Sequence, residues 1–195
     1  WSALTTLSHI CAPEIINNVI GDGSVVFADG SGGEVVGNQL EGHISVPSGT
    51  APSLPLMIRS NSVGVDSGEV RGSRQSIGIG ISSGGPGEVV VMDNTIQGRD
   101  IGVLLCRGVL HGNRFINNTV NACVSASCTA PEDIDAECNW WGTSESVDIE
   151  AKIIDCSDDP SLVSCIDFSP WCLDVDCEFT PTLNLTWGAV KAMYR

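Results

Sequence analysis

Paired carboxylates are the side chains in this 195-residue chain that most directly suggest chemistry. Asp158 and Asp159 are adjacent, and Asp174 and Asp176 are two residues apart. Two carboxyl groups about 5–9.5 Å apart in a cleft can act as general acid and base on a glycosidic bond. The same four acids could instead bind Ca²⁺ through oxygen ligands at an irregular site. Their setting is more typical of a solvated acidic loop.

Basic groups that could assist such carboxylates are few. Arg99, Arg107 and Arg114 could line one flank, accompanied by Asp93 and Asp100. The only two lysines lie beyond residue 142, and the three histidines are far apart in the sequence, which makes a metal cluster improbable. The sequence therefore favours a chain without catalysis and predicts no cofactor, with calcium left open.

Charge and composition exclude several function classes. The net charge is −15 and the pI is about 4.2, so nucleic-acid binding through phosphate neutralisation is excluded, and an anionic membrane surface would repel the chain. No apolar run approaches the ~18–20 residues of a membrane-spanning helix. Apolar residues make up 42% of the chain and charged residues 17%, which argues against disorder.

A repeat centred on asparagine determines the predicted architecture. An apolar residue stands three positions before each Asn and two positions after it, and successive copies are 20, 23, 33, 19 and 26 residues apart. Periods of about 20–50 residues indicate a solenoid. The repeated residues are Asn18, Asn38, Asn61, Asn94, Asn113 and Asn139.

Alternating apolar residues between the Asn copies indicate the strands that carry this repeat. Ile44 with Val46, and Ile77 with Ile79 and Ile81, show the period of two that is typical of a strand with one buried face. Strands stacked about 4.8 Å apart give every backbone group a partner. An Asn at one bend of each turn could then exchange amide hydrogen bonds with the Asn above and below it.

This repeat resembles that of right-handed parallel β-helix proteins of the pectin-lyase-like superfamily over residues 12–142. The stretches 138–143 (CNWWGT) and 166–171 (IDFSPW) look like the closing segment of many secreted bacterial members. The resemblance implies an all-β, right-handed parallel β-helix of about six coils. An antiparallel sandwich, the alternative, does not carry a fixed Asn-centred period. The fold hosts lyases, hydrolases, adhesins and inert scaffolds, so it implies little about activity.

The catalytic residue sets of that superfamily are incomplete in this chain. The acidic glycosidases use Asn-x-Asp, Asp-Asp, Gly-His-Gly and Arg-x-Lys motifs, and the last two do not occur here. Calcium-dependent lyases use clustered aspartates with an Arg or Lys base on the coils. The only Asp-Asp pair, at 158–159, lies beyond the repeat. We therefore expect no catalytic residues.

Three parts of the chain differ in composition. Residues 1–142 are the predicted coils, with an uncapped edge expected near residues 1–12 and Ser/Gly/Pro insertions at 47–56 and 66–76. Residues 143–177 form a predicted Cys/Asp-rich C-terminal cap that covers the last coil with aromatic residues. Residues 178–195 are a linker and a short terminal segment that resembles the basic ends of some secreted bacterial proteins, with sorting, docking or packing on its own domain left open. The covering aromatics are Trp140, Trp141, Phe168 and Trp171.

Nine cysteines without metal-type spacing indicate disulfides and an oxidising, extracellular compartment. Short loops favour the pairs Cys156–Cys165 and Cys172–Cys177. Links between neighbouring coils favour Cys106–Cys123 and Cys128–Cys138. Cys11 is left over and is predicted to bond a neighbouring subunit.

Two functions are compatible with these features. The first is a non-catalytic, secreted structural protein that self-associates into a fibre, array or cell-surface layer, with itself or other surface proteins as partners. The second is a polysaccharide-binding or polysaccharide-cleaving module that uses the flank of Arg99 and Arg114 or the Trp cluster.

Overall fold

The computed structural model describes residues 4–7, 12–21, 23–27, 32–46, 55–64, 76–82, 88–129 and 132–176. Within these ranges the chain is all-β apart from one five-residue helix, as the sequence predicts. The elements are β1 (Leu4–Leu7), β2 (Glu14–Ile16), β3 (Val19–Ile20), β4 (Ser24–Phe27), β5 (Gly33–Val36), β6 (Gln39–Leu40), β7 (Ile44–Val46), β8 (Leu56–Arg59), β9 (Ser62–Val63), β10 (Ile77–Ile81), β11 (Val89–Met92), β12 (Thr95–Gln97), β13 (Ile101–Leu105), β14 (Val109–His111), β15 (Arg114–Ile116), β16 (Val120–Val124), β17 (Ile134–Asp135), α1 (Ser146–Glu150), β18 (Ile153–Ile154) and β19 (Ile166–Asp167).

The described strands form three parallel sheets. Sheet A is ordered β1-β4-β7-β10-β13-β16-β18, sheet B is ordered β2-β5-β8-β11-β14-β17-β19, and sheet C is ordered β3-β6-β9-β12-β15. From β2 to β16 the chain passes through sheets B, C and A in turn, and we call one such passage a coil. This strand order is consistent with a β-helix solenoid.

Alternation along each strand places one row of aliphatic residues of each sheet in a shared core. In sheet B, for example, Val35, Ile58, Val91 and Leu110 are register neighbours and all are fully buried. Stacked β-branched and leucine side chains suit this arrangement because each contacts its equivalents one strand spacing above and below. The core thus lies between the three sheets.

A left-handed residue begins each bend from sheet B to sheet C. The residue just before every repeated Asn has positive φ, between 55° and 65°. Glycine adopts this conformation at no steric cost, whereas a non-glycine residue is strained there. At Gly37 an added Cβ would also lie 2.3 Å from Asn17 Oδ1, so a larger residue there would have to displace the Asn17 side chain. The six residues are Asn17, Gly37, Ser60, Asp93, Gly112 and Cys138.

The segment beyond residue 142 adds strands to two of the sheets. β18 pairs with β16 in sheet A, and β19 pairs with β17 in sheet B. None of the helices in the described ranges is long and apolar enough to cross a membrane. Most of the two predicted insertions, Cys11 and residues 177–195 lie outside the described residues.

Candidate functional site

The six repeated asparagines form one hydrogen-bonded column along the bend between sheets B and C. At each of the five steps, the Oδ1 of one Asn accepts both the backbone N–H and the Nδ2–H of the Asn in the preceding coil, at 2.8–3.1 Å. The column runs through Asn18, Asn38, Asn61, Asn94, Asn113 and Asn139.

The same side-chain amides also donate hydrogen bonds to backbone carbonyls at the bend where the strands of sheet B end. Asn94 Nδ2 lies 2.9 Å from the carbonyl oxygen of Ile58 in the preceding coil and 2.9 Å from that of Met92. From Asn38 onward every asparagine of the column is at most 2% exposed. Because buried polar groups need partners, these five buried amides serve the protein's own backbone and column, and are not accessible to a substrate.

The column ends at Asn139 because the next coil has a tryptophan at the equivalent position. Cys172 N donates to Asn139 O at 2.9 Å, as Trp140 N donates to Asn113 O at 2.9 Å one coil earlier. Trp171, which precedes Cys172, therefore takes the place of a seventh Asn and offers no side-chain oxygen. The Nδ2 of Asn139 instead donates to the backbone carbonyls of Leu110, Ala136 and Glu137.

Of the four aromatic residues predicted to cover the last coil, only Trp141 is buried, and Trp140, Phe168 and Trp171 are partly exposed. Trp141 is fully buried and stacks on Phe115, with ring centroids 4.7 Å apart and planes 5° apart. Phe168 and Trp171 are only partly buried, with centroids 5.9 Å apart, and Trp171 Nε1 donates to Ser144 O at 3.1 Å. Trp141 is therefore a core residue rather than a surface on which a sugar could stack.

Arg99 and Arg114, predicted to share a flank, lie at opposite ends of the sheet C strands. Arg114 aligns with Thr95 at the start of β12, whereas Arg99 follows the end of β12. The Nη2 of Arg99 donates to the backbone carbonyls of Glu41 and Gly42, both at 2.5 Å. Burial lowers the pKa of this guanidinium. The two arginines therefore do not form a common basic site, which corrects the predicted flank.

Arg99 and Asp100 lie beside Gly64 and Ser76, the described residues on either side of residues 65–75, which contain most of the predicted insertion. A Cβ on Gly64, the last described residue before the insertion, would lie 3.0 Å from Arg99 Nε. Ser76, the first described residue after it, donates its backbone N–H to Asp100 Oδ2 at 2.7 Å. Gly64 N donates to Leu40 O at 2.8 Å, and Glu41 and Gly42 follow Leu40 in that coil. Arg99 supplies donors to those two carbonyls at the point where the insertion begins.

A serine–histidine pair lies beside Arg99 on two neighbouring coils. Ser24 Oγ and His43 Nδ1 are 2.8 Å apart. Burial, and secondarily the charge of Arg99, lower the pKa of His43. A neutral imidazole next to a hydroxyl can activate a nucleophile, but no carboxylate among the described residues contacts His43 to orient it. The pair is therefore a hydrogen-bonded contact between coils.

The four predicted calcium ligands do not converge. Asp158 Oδ2 accepts the Asp155 backbone N–H at 3.3 Å, and Asp159 Oδ1 accepts that of Ser161 at 2.9 Å, which lowers the pKa of Asp159. Asp174 and Asp176 are exposed. In the described part of the chain, no group of three or more His, Cys, Asp or Glu side chains is arranged to hold a metal ion.

A carboxylate group at the end of sheet B was not anticipated from the sequence. His111 Nε2 and Asp135 Oδ1 are 2.6 Å apart, and this hydrogen bond lowers the pKa of Asp135. Burial and the charges of Asp135 and Asp167 raise the pKa of Glu137. Only the register reveals this group, because Asp135 and Asp167 are 32 residues apart in sequence but pair on adjacent strands. It is a locally acidic surface with one histidine partner.

The disulfides differ from the predicted set. Cys156 bonds Cys165, but Cys106 bonds Cys128, so the predicted pairs Cys106–Cys123 and Cys128–Cys138 are wrong. The Cys106 and Cys128 Cα atoms are 5.2 Å apart, within the range that a disulfide spans. Cys123 and Cys138 are free thiols, and burial raises the pKa of Cys138 to about 11.

Two remaining predictions about cysteines involve residues that the structure does not describe. Cys172 is disulfide-bonded, and its partner lies outside the described ranges. The predicted pair Cys172–Cys177 and the predicted intermolecular bond of Cys11 therefore stay predictions.

No known family, curated protein or solved structure matches this chain.

A second, shorter polar group at the bend from sheet C to sheet A was also not predicted from the sequence. Asn118 Oδ1 accepts the Arg99 N–H at 3.0 Å, and Asn121 Nδ2 donates to Trp141 O at 2.8 Å. Because this arrangement does not recur in every coil, it leaves no period in the sequence.

Proposed function

We propose that this chain is a non-catalytic, extracellular structural protein built as a right-handed parallel β-helix of about six coils, similar to the pectin-lyase-like superfamily. The cyclic strand order and the asparagine column support the β-helix. The disulfides Cys106–Cys128 and Cys156–Cys165, both partners of which are described, support an oxidising compartment and a stapled C-terminal cap. The polar side chains that could take part in chemistry, above all Arg99 and the asparagines, instead form hydrogen bonds to the protein's own backbone. This arrangement suits a scaffold.

We further propose that the protein self-associates end to end. Large, exposed apolar side chains of the described residues occur only at the two ends of the strand stack, and this distribution is the observation that carries the proposal. Val19 on β3 is 82% exposed and Ile16 on β2 is 42% exposed. A contact between unlike ends does not close on itself, so it generates a filament. At the opposite end the exposed apolar residues are Val147, Val163, Leu173 and Val175.

Sedimentation velocity over a range of protein concentrations, with and without calcium, tests this association. We expect the unmodified protein to form species larger than a monomer, and Val19→Lys or Leu173→Lys to shift the equilibrium toward monomer. Gln39→Lys is the matched control, because Gln39 is the exposed register neighbour of Val19 one coil further on. A monomer at all concentrations, or equal effects of Val19→Lys and Gln39→Lys, would refute end-to-end association.

A second candidate function, polysaccharide binding, is favoured by one observation on sheet C. The exposed Arg114 forms a parallel bridge with the partly exposed Trp140, which places a cation beside an aromatic ring on adjacent strands. Such a pair could bind an acidic sugar through charge and stacking. Titration with polyuronate oligosaccharides tests it: binding that Arg114→Ala and Trp140→Ala both abolish supports this function, and absence of binding excludes it for this sugar class.

A further inference from the structure

The outward face of sheet B carries an apolar strip across its middle coils. Met57, Val90 and Val109 are register neighbours on successive strands, and Val36 and Met92 lie in the second outward row on either side of Arg59. All five point away from the core and are partly exposed. We call these five residues the sheet B strip. Apolar surface bordered by polar residues marks an interaction site more often than isolated apolar residues do.

The two ends of the strip carry different charge. At one end Glu34 is ion-paired with Arg59, at 3.7 Å. At the other end Asp135 follows Val109 in register and Asp167 follows Asp135, with Glu137 close enough to feel both charges. The described histidine there, His111, contacts only one of these carboxylates. The chemistry of the strip therefore suits an occupant with an apolar side and a cationic side.

We infer that the chain's own terminal segment, residues 187–195, docks on the sheet B strip with its basic residues toward the Asp135–Asp167 end. The segment lies outside the described residues, and its sequence is WGAVKAMYR. At helical spacing Trp187, Val190 and Tyr194 share one face, and Lys191 and Arg195 are four residues apart. Apart from Lys152, these two are the only basic residues after Arg114.

The connection is long enough for this docking within one chain. Residues 177–186 are ten residues, which span at most about 33–36 Å when extended. Met57 on β8 lies four strand spacings from β19, which is about 19 Å at ~4.8 Å per spacing. A short tether also gives the segment a high effective concentration at its own strip, which favours it over a segment from a second copy.

Hydrogen exchange of the full-length protein, read by mass spectrometry over residues 187–195, tests the inference. We expect these amides to exchange at least about ten-fold more slowly than in a free peptide of the same sequence. Val90→Lys, and separately the charge reversal Lys191→Glu with Arg195→Glu, should restore the free-peptide rate. Thr95→Lys, on the outward face of sheet C, is the control and should leave the protection unchanged.

The remaining outcomes each decide the question. Exchange at the free-peptide rate in the unmodified protein overturns the inference, as does protection that both Val90→Lys and the charge reversal leave intact. The charge reversal changes no residue of the described strands, so it remains informative if Val90→Lys fails to fold. Protection confined to oligomers in parallel sedimentation runs would overturn docking within one chain. Protection in a protein that stays monomeric would support this inference while refuting end-to-end association, so the two proposals fail separately.

Discussion

Replacing Asn94 tests the asparagine column at a position where water cannot compensate. Asn94 is fully buried, its Oδ1 accepts two hydrogen bonds from Asn61, and its Nδ2 donates to carbonyls that include Ile58 O. Asn94→Ala leaves at least the Asn61 N–H and the Ile58 carbonyl without these partners. An unsatisfied buried group costs about 1–3 kcal/mol, so the expected loss in the free energy of unfolding is about 2–6 kcal/mol. A typical domain has only about 5–15 kcal/mol in total.

Asn18→Ala is the internal control for this prediction. Asn18 makes the same bonds to Asn38, but it is exposed, so water can replace them. We expect its cost to stay below about 1 kcal/mol. Equilibrium urea unfolding of the oxidised protein, followed by tryptophan fluorescence to which the buried Trp141 contributes, measures both variants.

Asn94→Asp distinguishes hydrogen bonding from shape. The carboxylate would keep the acceptor for Asn61 but would place an oxygen 2.9–3.0 Å from the carbonyl oxygens of Ile58 and Met92 and from Asn113 Oδ1. We therefore expect a loss at pH 7 at least equal to that of Asn94→Ala. Equal stability of Asn94→Asp and the unmodified protein, or equal costs at Asn18 and Asn94, would show that the column does not stabilise the fold by the bonds described.

Three further predictions follow from the groups near Arg99 and from the free thiols. Arg99→Met should destabilise the fold because it leaves the Glu41 and Gly42 carbonyls without these donors, and Arg99→Lys should recover part of the loss. Thermal unfolding measures both variants. Equal melting temperatures for Arg99→Met and the unmodified protein would contradict the proposed role. The lowered pKa of His43 means that the unfolded chain binds the proton more readily, so stability should fall as the pH drops from about 6.5. His43→Gln should make the free energy of unfolding depend less on pH between pH 7 and 5. An unchanged slope of that free energy against pH would refute this assignment. Because the pKa of Cys138 is raised to about 11, iodoacetamide at pH 8 should modify this thiol only after unfolding, and rapid labelling in the native protein would contradict its burial.

What repeats in the structure could be predicted from the sequence, because each coil poses the same physical problem. At every bend from sheet B, backbone carbonyls leave the strand ladder and need a new hydrogen-bond donor. The Asn amide supplies it, so Asn recurs there with apolar residues at fixed distances. The all-β character and the stacking of strands follow from the same period. The left-handed residue before each Asn is less visible, since Asn17, Ser60 and Asp93 take it as well as glycine.

What occurs only once could not be predicted in this way. The sequence predicts Arg99 as a candidate basic group, but in the structure it lies next to the predicted insertion. Only the strand register shows to which carbonyls it donates. The pairing of Cys106 with Cys128 depends on where two loops end rather than on their spacing. Trp171 ends the asparagine column, although nothing in its local sequence distinguishes it from the other aromatic residues near the C-terminal end of the repeat.

The uniform bonding from one asparagine to the next has a consequence for how such a rod changes length. The segment from Thr95 to Asn113 contains one complete turn of the chain and meets its neighbours through the same amide contacts at both seams. Tandem duplication of such a segment would repeat these amide contacts at its new junction, whereas its loss would also remove Arg99 and Cys106, which bond residues outside it. Recombination within the gene can therefore change the length of the stack in steps of one strand spacing. Trp171 would still end the asparagine column.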